Sequence, residues 1–233
     1  MTPLTAFVLA TPLFGLSLEP PTLGVLPGGS VATPSAVAAA ELPPLEASGR
    51  AEEGSSIAEQ LQQRQKIARI HKWLGIATWS AMTITVMLGI IQYRNLYGFF
   101  DGPGGNPCVR GDATFGQGQC TGTPWPHAAS AAVTTALYGA TFGLSFFMPD
   151  PLETAEQDSK AGRRLRAHKR LRWVHFAGMI AQALLGIVVA NGESFGLDRA
   201  NDYRALQGLS TVHLVTGLAT YGSLTAAGAL MLF

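Results

Sequence analysis

Four apolar segments, separated by polar loops, dominate the chain from Trp73 onward. A helix needs about 20 predominantly apolar residues to cross the hydrocarbon core of a bilayer, and each segment is of that order. The pattern therefore predicts an all-α membrane protein built as a bundle of four transmembrane helices. The predicted spans are residues 73–93, 127–148, 173–190 and 209–233.

The first 55 residues have a different pattern. Residues 1–19 are apolar but short, and they fit an uncleaved hydrophobic arm, an atypical signal peptide or a short extra spanning helix. Residues 20–55 are rich in Pro, Ala, Gly, Ser and Glu without a hydrophobic period, which predicts a disordered linker. The four-helix domain is predicted to cover residues 56–233. It opens with the capping-box spacing of Ser56 and Glu59.

Composition supports the membrane assignment. Charged residues make up 13% of the chain and hydrophobic residues 47%, and the formal net charge is +1. So little charge is unusual for a soluble domain, and a nearly neutral chain gives no basis for nucleic-acid binding. The partners expected are membrane lipid and redox molecules.

The basic residues predict the orientation of the spans. One side of the predicted membrane carries Arg64, Lys66, Arg69, Lys72, Lys160, Arg163, Arg164, Arg166, Lys169, Arg170 and Arg172, and the other carries Arg94, Arg110, Arg199 and Arg204. Loops rich in Lys and Arg stay in the cytoplasm. The chain is therefore predicted to be a multi-pass protein of the inner (cytoplasmic) membrane, with its C-terminus and the basic loop inside.

Both cysteines, Cys108 and Cys120, lie in the loop between the first two spans, which the predicted orientation places outside. A disulfide persists in an oxidising compartment, so these two residues are candidates for one. Two free thiols in the loop are the alternative. Neither cysteine belongs to a CxxC or CxxCH motif.

Four of the five histidines fall at or near the starts of the four spans. Because successive spans run in opposite directions, His71 and His175 are predicted near the cytoplasmic face, and His127 and His213 near the outer face. A polar group buried in hydrocarbon needs a partner, so histidines inside a membrane are candidates for function. The fifth, His168, is predicted to be a solvated loop residue among arginines.

Two histidine pairs at different depths favour haem over a bare metal ion. A zinc or copper site needs ligands that converge, and no Cys, Asp or Glu lies within the spans to complete one. Haem b with two axial histidines needs only one residue from each of two facing helices. The ligand pairs expected are therefore His71 with His175 for an inner haem and His127 with His213 for an outer one.

In the order and spacing of these histidines, residues 65–233 resemble the cytochrome b561 family. The resemblance implies a four-helix core with two haems b, in which the first helix pairs with the third and the second with the fourth. It implies transmembrane electron transfer, either as an oxidoreductase or as an electron carrier. The flanking helices and the ascorbate-binding basic residues of the eukaryotic members are not matched here, so no substrate follows from the resemblance.

Several assignments stay open at this level. Basic residues that could contact haem propionates, or else only anchor the spans, are Arg69, Lys72 and Arg172 for the inner haem and Arg199 and Arg204 for the outer one. The electron donor could be a quinol or a soluble reductant, and the sequence identifies neither it nor the acceptor. The sequence also leaves open whether the chain dimerises or joins a larger redox complex. The alternatives are a single-haem cytochrome b subunit and a non-redox assembly or scaffold subunit whose histidines only join helices.

Overall fold

The computed structural model describes residues 45–99, 101–121 and 123–232, which belong to one compact unit spanning Pro44–Phe233. Within these ranges all regular structure is helical. The α-helices are α1 (Leu45–Tyr97), α2 (Pro107–Arg110), α3 (Trp125–Leu144), α4 (Lys160–Ala190) and α5 (Tyr203–Leu232), and two 3-10 turns cover Gln117–Gln119 and Gly192–Phe195. The arm at residues 1–19 and the linker up to residue 44 lie outside the described residues.

Three helical segments are long and apolar enough to cross a membrane, judged by length and composition. They are Ser56–Tyr97, Lys160–Ala190 and Tyr203–Met231. Helix α3, predicted as the second span, is not one of the three, because His127 and several Thr, Ser and Gly residues lower its hydropathy. Its 20 residues would nevertheless extend about 30 Å.

The helices begin and end at different residues from those expected. Helix α1 starts at Leu45, so residues 45–55, predicted as the last part of a linker, are helical. Their Leu, Ala, Glu and Arg residues are good helix formers. Helix α3 ends at Leu144, four residues before the predicted end at 148. Residues 145–147 form a turn and a bend, and Pro149 keeps the helix from resuming, because a proline disfavours helical conformation in the residue before it.

The basic segment 160–172, expected to be a loop, is the first part of helix α4. The helix is capped by Ser159, whose side chain accepts a hydrogen bond from the Gly162 amide at 3.0 Å. An N-cap of this kind satisfies a backbone donor that would otherwise lack a partner. Helix α5 likewise begins at Tyr203, earlier than the predicted start near 209.

The large apolar side chains point outward. Trp73 is 64% exposed, Leu184 61% and Val215 58%, while Thr78 and Asn95 are almost completely buried. In a soluble protein the distribution is the reverse. Apolar surface on this scale is typical of a face covered by lipid or by another protein.

The closest backbone packing joins α4 to α5, α1 to α3 and α1 to α5. Helices α1 and α3 are linked by two threonine pairs, Thr78 with Thr141 at 2.9 Å and Thr85 with Thr134 at 2.8 Å. Helices α4 and α5 pack tightly at Gly178, where an added Cβ would collide with the Thr220 hydroxyl. Small and hydroxyl residues at such crossings are usual in membrane bundles.

Aromatic rings fill the contact between α3 and α4. Phe142 stacks on Phe176 with ring centroids 4.4 Å apart, and Trp173 packs edge-on against Phe142 at 5.9 Å. The packing order therefore places α1 diagonally opposite α4, and α3 diagonally opposite α5. Each expected histidine pair belongs to one diagonal.

One end of the bundle, which we call the basic end, holds the loop between α3 and α4 and the first turns of α4. Asp150 organises it. The carboxylate accepts hydrogen bonds from the amides of Thr154 at 3.1 Å and Ala155 at 3.2 Å, and pairs with Arg64 of α1 at 2.5 Å and Lys169 of α4 at 3.9 Å. Partial burial acts to raise the pKa of Asp150, but the backbone hydrogen bonds and the Arg64 charge outweigh it and lower the pKa.

Candidate cofactor site

The opposite end, which we call the cysteine end, brings His127 and His213 together. His127 lies in the first turn of α3 and His213 on α5. Their ring centroids are 6.1 Å apart and the ring planes cross at 89°. The two residues predicted to form the outer pair therefore face each other across the bundle.

Hydrogen bonding orients His127. Its Nδ1 lies 3.1 Å from the carbonyl oxygen of Thr85 on α1. A carbonyl can only accept, so Nδ1 donates, and Nε2 keeps the lone pair that binds a metal. The buried Nδ1 of His213 has no hydrogen-bond partner among the described residues, while its backbone carbonyl accepts from Gln182 at 2.7 Å.

Two glycines make room for these rings. A Cβ on Gly89 of α1 would lie 3.0 Å from Cε1 of His127, and a Cβ on Gly186 of α4 would lie 3.3 Å from Cε1 of His213. Distances this short require the imidazole to move. The positions of both rings therefore depend on glycine in the neighbouring helix.

A cavity of about 450 Å³ lies beside the two imidazoles. Both histidines, Met82, Met179 and Arg199 are among the residues that line it. Its volume is in the range of cofactor pockets, about 300 to 1,000 Å³. Of the five basic residues considered for propionates, Arg199 is the one in this cavity wall, whereas Arg204 is exposed.

The geometry fits two axial ligands of one iron. Imidazoles that bind a metal from opposite sides at about 2.0 Å, with each ring centre about 1.2 Å behind its nitrogen, have centroids about 6.4 Å apart. The observed separation of 6.1 Å agrees. Within the described ranges no group of three or more His, Cys, Asp or Glu could hold a metal ion. A cofactor that brings its own equatorial ligands suits such a site.

The cysteine loop covers this end. A disulfide joins Cys108 to Cys120, and the Cys120 carbonyl accepts a hydrogen bond from Arg199. Gln92 of α1 donates to the Gln119 carbonyl at 2.8 Å. The fully buried Asn95 exchanges two hydrogen bonds of 3.0 Å with the backbone of Thr114. The loop is thus held to α1 and to the segment before α5.

At the basic end, the ring that faces His71 is that of His168. Their centroids are 6.3 Å apart and their planes cross at 82°. His168 is half-buried on α4, and its Nδ1 lies 2.9 Å from the carbonyl oxygen of Ala227 on α5. It is therefore part of the bundle and not the solvated loop residue that we expected.

His175, the predicted partner of His71, has a different environment. It is 6% exposed, and its Nδ1 lies 2.7 Å from the hydroxyl of Tyr138 on α3. Arg172, one turn earlier on α4, lies over the rings of Phe146 at 4.5 Å and Trp173 at 5.2 Å. Arg69 and Lys72 are exposed beside His71.

A local motif could have drawn attention to His168. The sequence Arg-x-His-Lys occurs twice, at residues 69–72 around His71 and at residues 166–169 around His168. The second copy of the motif was overlooked, because the basic residues around His168 suggested a loop. Helix α4 places Lys169 and Arg170 outward while His168 turns toward α5.

No protein-family model, curated protein or solved structure matches this chain.

Proposed function

We propose that this chain carries single electrons across a membrane through two haems b, each held by two histidines, one near each membrane face. Helices α1, α3, α4 and α5 are the four spans. Three of them include segments that could cross a bilayer by length and composition, and α3 is long enough to do so. This architecture is the one that the resemblance to the cytochrome b561 family implies.

The observation that carries the proposal is the geometry of the two histidine pairs. Crossed imidazoles occur at both ends of the bundle, with centroids 6.1 and 6.3 Å apart. Along α1, His71 and Gly89, which abuts His127, are 18 residues apart (89 − 71), or about 27 Å. The two pairs therefore lie at opposite ends of a helix of membrane-spanning length.

The protein residues bind and orient the cofactors. At the cysteine end, His127 and His213 supply the ligands, Thr85 holds the tautomer of His127, and Arg199 places a positive charge at the cavity wall. Haem held by two histidines gains and loses one electron with no iron position open to oxygen. The cysteine loop is hydrogen-bonded to Arg199 and Gln92, two residues that line the cavity, and so helps to hold the cavity wall in place.

The basic residues orient the molecule in the proposal. Because loops rich in Lys and Arg stay in the cytoplasm, the proposed orientation has the basic end inside and the cysteine loop outside, in a multi-pass protein of the inner membrane. A reductant, either a quinol or a soluble molecule, donates at one face and a redox acceptor takes the electron at the other. The outward apolar side chains contact lipid.

Reconstitution tests the proposal. Purified full-length protein in vesicles loaded with ferricyanide should speed reduction of the internal ferricyanide when dithionite is added outside. His127→Ala and vesicles without protein are the controls, and both should stay at the background rate. A wild-type rate equal to that of protein-free vesicles would exclude transmembrane electron transfer and leave the scaffold alternative.

A further inference from the structure

Helix α4 carries two histidines near the basic end, and only one of them can pair with His71 across a cofactor. His168 and His175 are seven residues apart, so they lie on nearly the same helix face about 10.5 Å from each other along the axis. The choice determines how close the cofactor lies to the cytoplasmic surface. Three independent observations bear on it.

The first observation is the match between the two ends. The rings of His71 and His168 repeat the arrangement of His127 and His213, with separations of 6.3 and 6.1 Å and crossing angles of 82° and 89°. Both separations are close to the value of about 6.4 Å for imidazoles on opposite sides of one metal.

The second observation concerns hydrogen bonding. Nδ1 of His168 donates to a backbone carbonyl of another helix, as does Nδ1 of His127. Metal-bound histidines usually hold their second nitrogen in this way, which fixes Nε2 toward the metal. His175 instead has its Nδ1 against the hydroxyl of Tyr138, 2.7 Å away.

The third observation is an internal repeat. Helices α1 and α4 share residues at a constant offset of 97 positions. The matched residues are Arg69 with Arg166, His71 with His168, Lys72 with Lys169, Leu74 with Leu171, Met82 with Met179, and the Leu-Gly-Ile sequences at 88–90 and 185–187. Gly89 and Gly186, the glycines that abut His127 and His213, are one of these matches.

The repeat also assigns a counterpart to His175, namely Thr78. Both side chains are buried and both bond to α3: Thr78 to Thr141 at 2.9 Å, and His175 to Tyr138 at 2.7 Å. Threonine at the matching position acts in helix packing. The repeat therefore groups His175 with the residues that join helices, and His168 with His71.

We propose that the axial ligands at the basic end are His71 and His168, and that His175 joins α4 to α3 through Tyr138 without binding iron. This inference rests on the proposed two-haem function and changes one of its ligands. The basic-end haem then lies among Lys72, Lys169 and Arg172, close to the aqueous surface.

The test compares His168→Ala with His175→Ala in full-length protein purified from haem-replete cells. Haem per chain is measured by the pyridine haemochrome, and the spin state by electron paramagnetic resonance. His168→Ala should bind one haem in place of two, as should His71→Ala, and the haem that remains should be the one lost in His127→Ala. His175→Ala should keep two low-spin haems.

The opposite result, one haem in His175→Ala and two in His168→Ala, would overturn the inference, as would two haems in both variants. If both variants lose a haem, His168→Gly and His175→Gly are purified with added imidazole. Recovery of the second haem in His168→Gly alone supports the inference, and any other pattern overturns it. A haem-free wild type would instead overturn the proposed function itself, so the two failures are distinguishable.

Discussion

The two ends of the bundle hold similar histidine pairs in different surroundings. At the cysteine end, His127 and His213 face a cavity of about 450 Å³ beneath a loop closed by a disulfide. At the basic end, His71 and His168 lie beside lysine and arginine side chains, next to a loop organised by Asp150. The two pairs of rings are arranged similarly, but the structure around them differs.

This difference indicates how one bundle could hold two chemically identical cofactors at different potentials. Burial, nearby charge and access of water tune the potential of a haem whose ligands are unchanged. Nearby positive charge stabilises the reduced form of a haem and so raises its potential. The basic end has several cations, whereas at the cysteine end Arg199 is the basic residue in the cavity wall. We therefore expect two resolved redox steps, with the basic-end haem at the higher potential.

Filling the space beside one histidine should remove the cofactor at one end only. Gly89→Val places a side chain where a Cβ already lies 3.0 Å from Cε1 of His127, so the imidazole must move. The expected result is a fall from two haems per chain to one, with the basic-end haem retained. Haem counting by the pyridine haemochrome measures it.

Gly139→Val is the matched control for that variant. Gly139 is an exposed glycine in the middle of α3 with no atom within 4 Å of an added Cβ. It should keep both haems. Loss of a haem from the control, or two haems in Gly89→Val, would contradict the crowded geometry at the cysteine end.

Opening the disulfide should weaken the cysteine end. Cys108→Ser with Cys120→Ser removes a closure across 12 residues, which we expect to reduce stability by about 3 kcal/mol. Because the loop contacts Arg199 and Gln92, the haem at this end should be lost first on heating. Thermal melting followed at the two haem signals checks this, and unfolding with both signals lost together would contradict it.

Removing the charge of Asp150 should have a smaller effect, at the basic end. Asp150→Asn weakens the ion pairs with Arg64 and Lys169, and we expect it to lower the free energy of unfolding by about 1 kcal/mol. The pKa of Asp150 is lowered in the folded protein, so its contribution is present above the ordinary value of 3.8 and is lost as the pH falls through the folded pKa. Wild type and variant should therefore differ in melting temperature at neutral pH and converge in strong acid. A difference that persists in acid would contradict the assignment.

The helices and the outer histidine pair followed from local signals in the sequence. His127 comes directly after a proline-rich loop, and His213 lies near the start of the last apolar segment. The second and fourth apolar helices run in the same direction, so both residues lie at the same end. The start of helix α4 was harder to predict, because its first three turns carry charged residues on every side. Only the Ser159 cap marks where the helix begins. His168 was set aside for the same reason.

Contacts between helices could not be predicted from periodicity. Nothing local indicates that Gly89 abuts His127, that Tyr138 bonds to His175, or that Asp150 reaches Arg64, because each contact depends on how separate helices pack. The 97-residue repeat is visible in the sequence, but its few matches acquire meaning only when both copies are placed beside histidines. The packing of the helices determines these contacts, and the sequence pattern does not.

The most direct test of the two-haem arrangement is the haem content of the wild-type protein. Full-length chain purified from haem-replete cells is reduced with dithionite, and its reduced-minus-oxidised spectrum and pyridine haemochrome are recorded against protein concentration. We predict a b-type spectrum and two haems per chain for this arrangement. A folded, colourless preparation, or a stoichiometry of one that His127→Ala leaves unchanged, would contradict it.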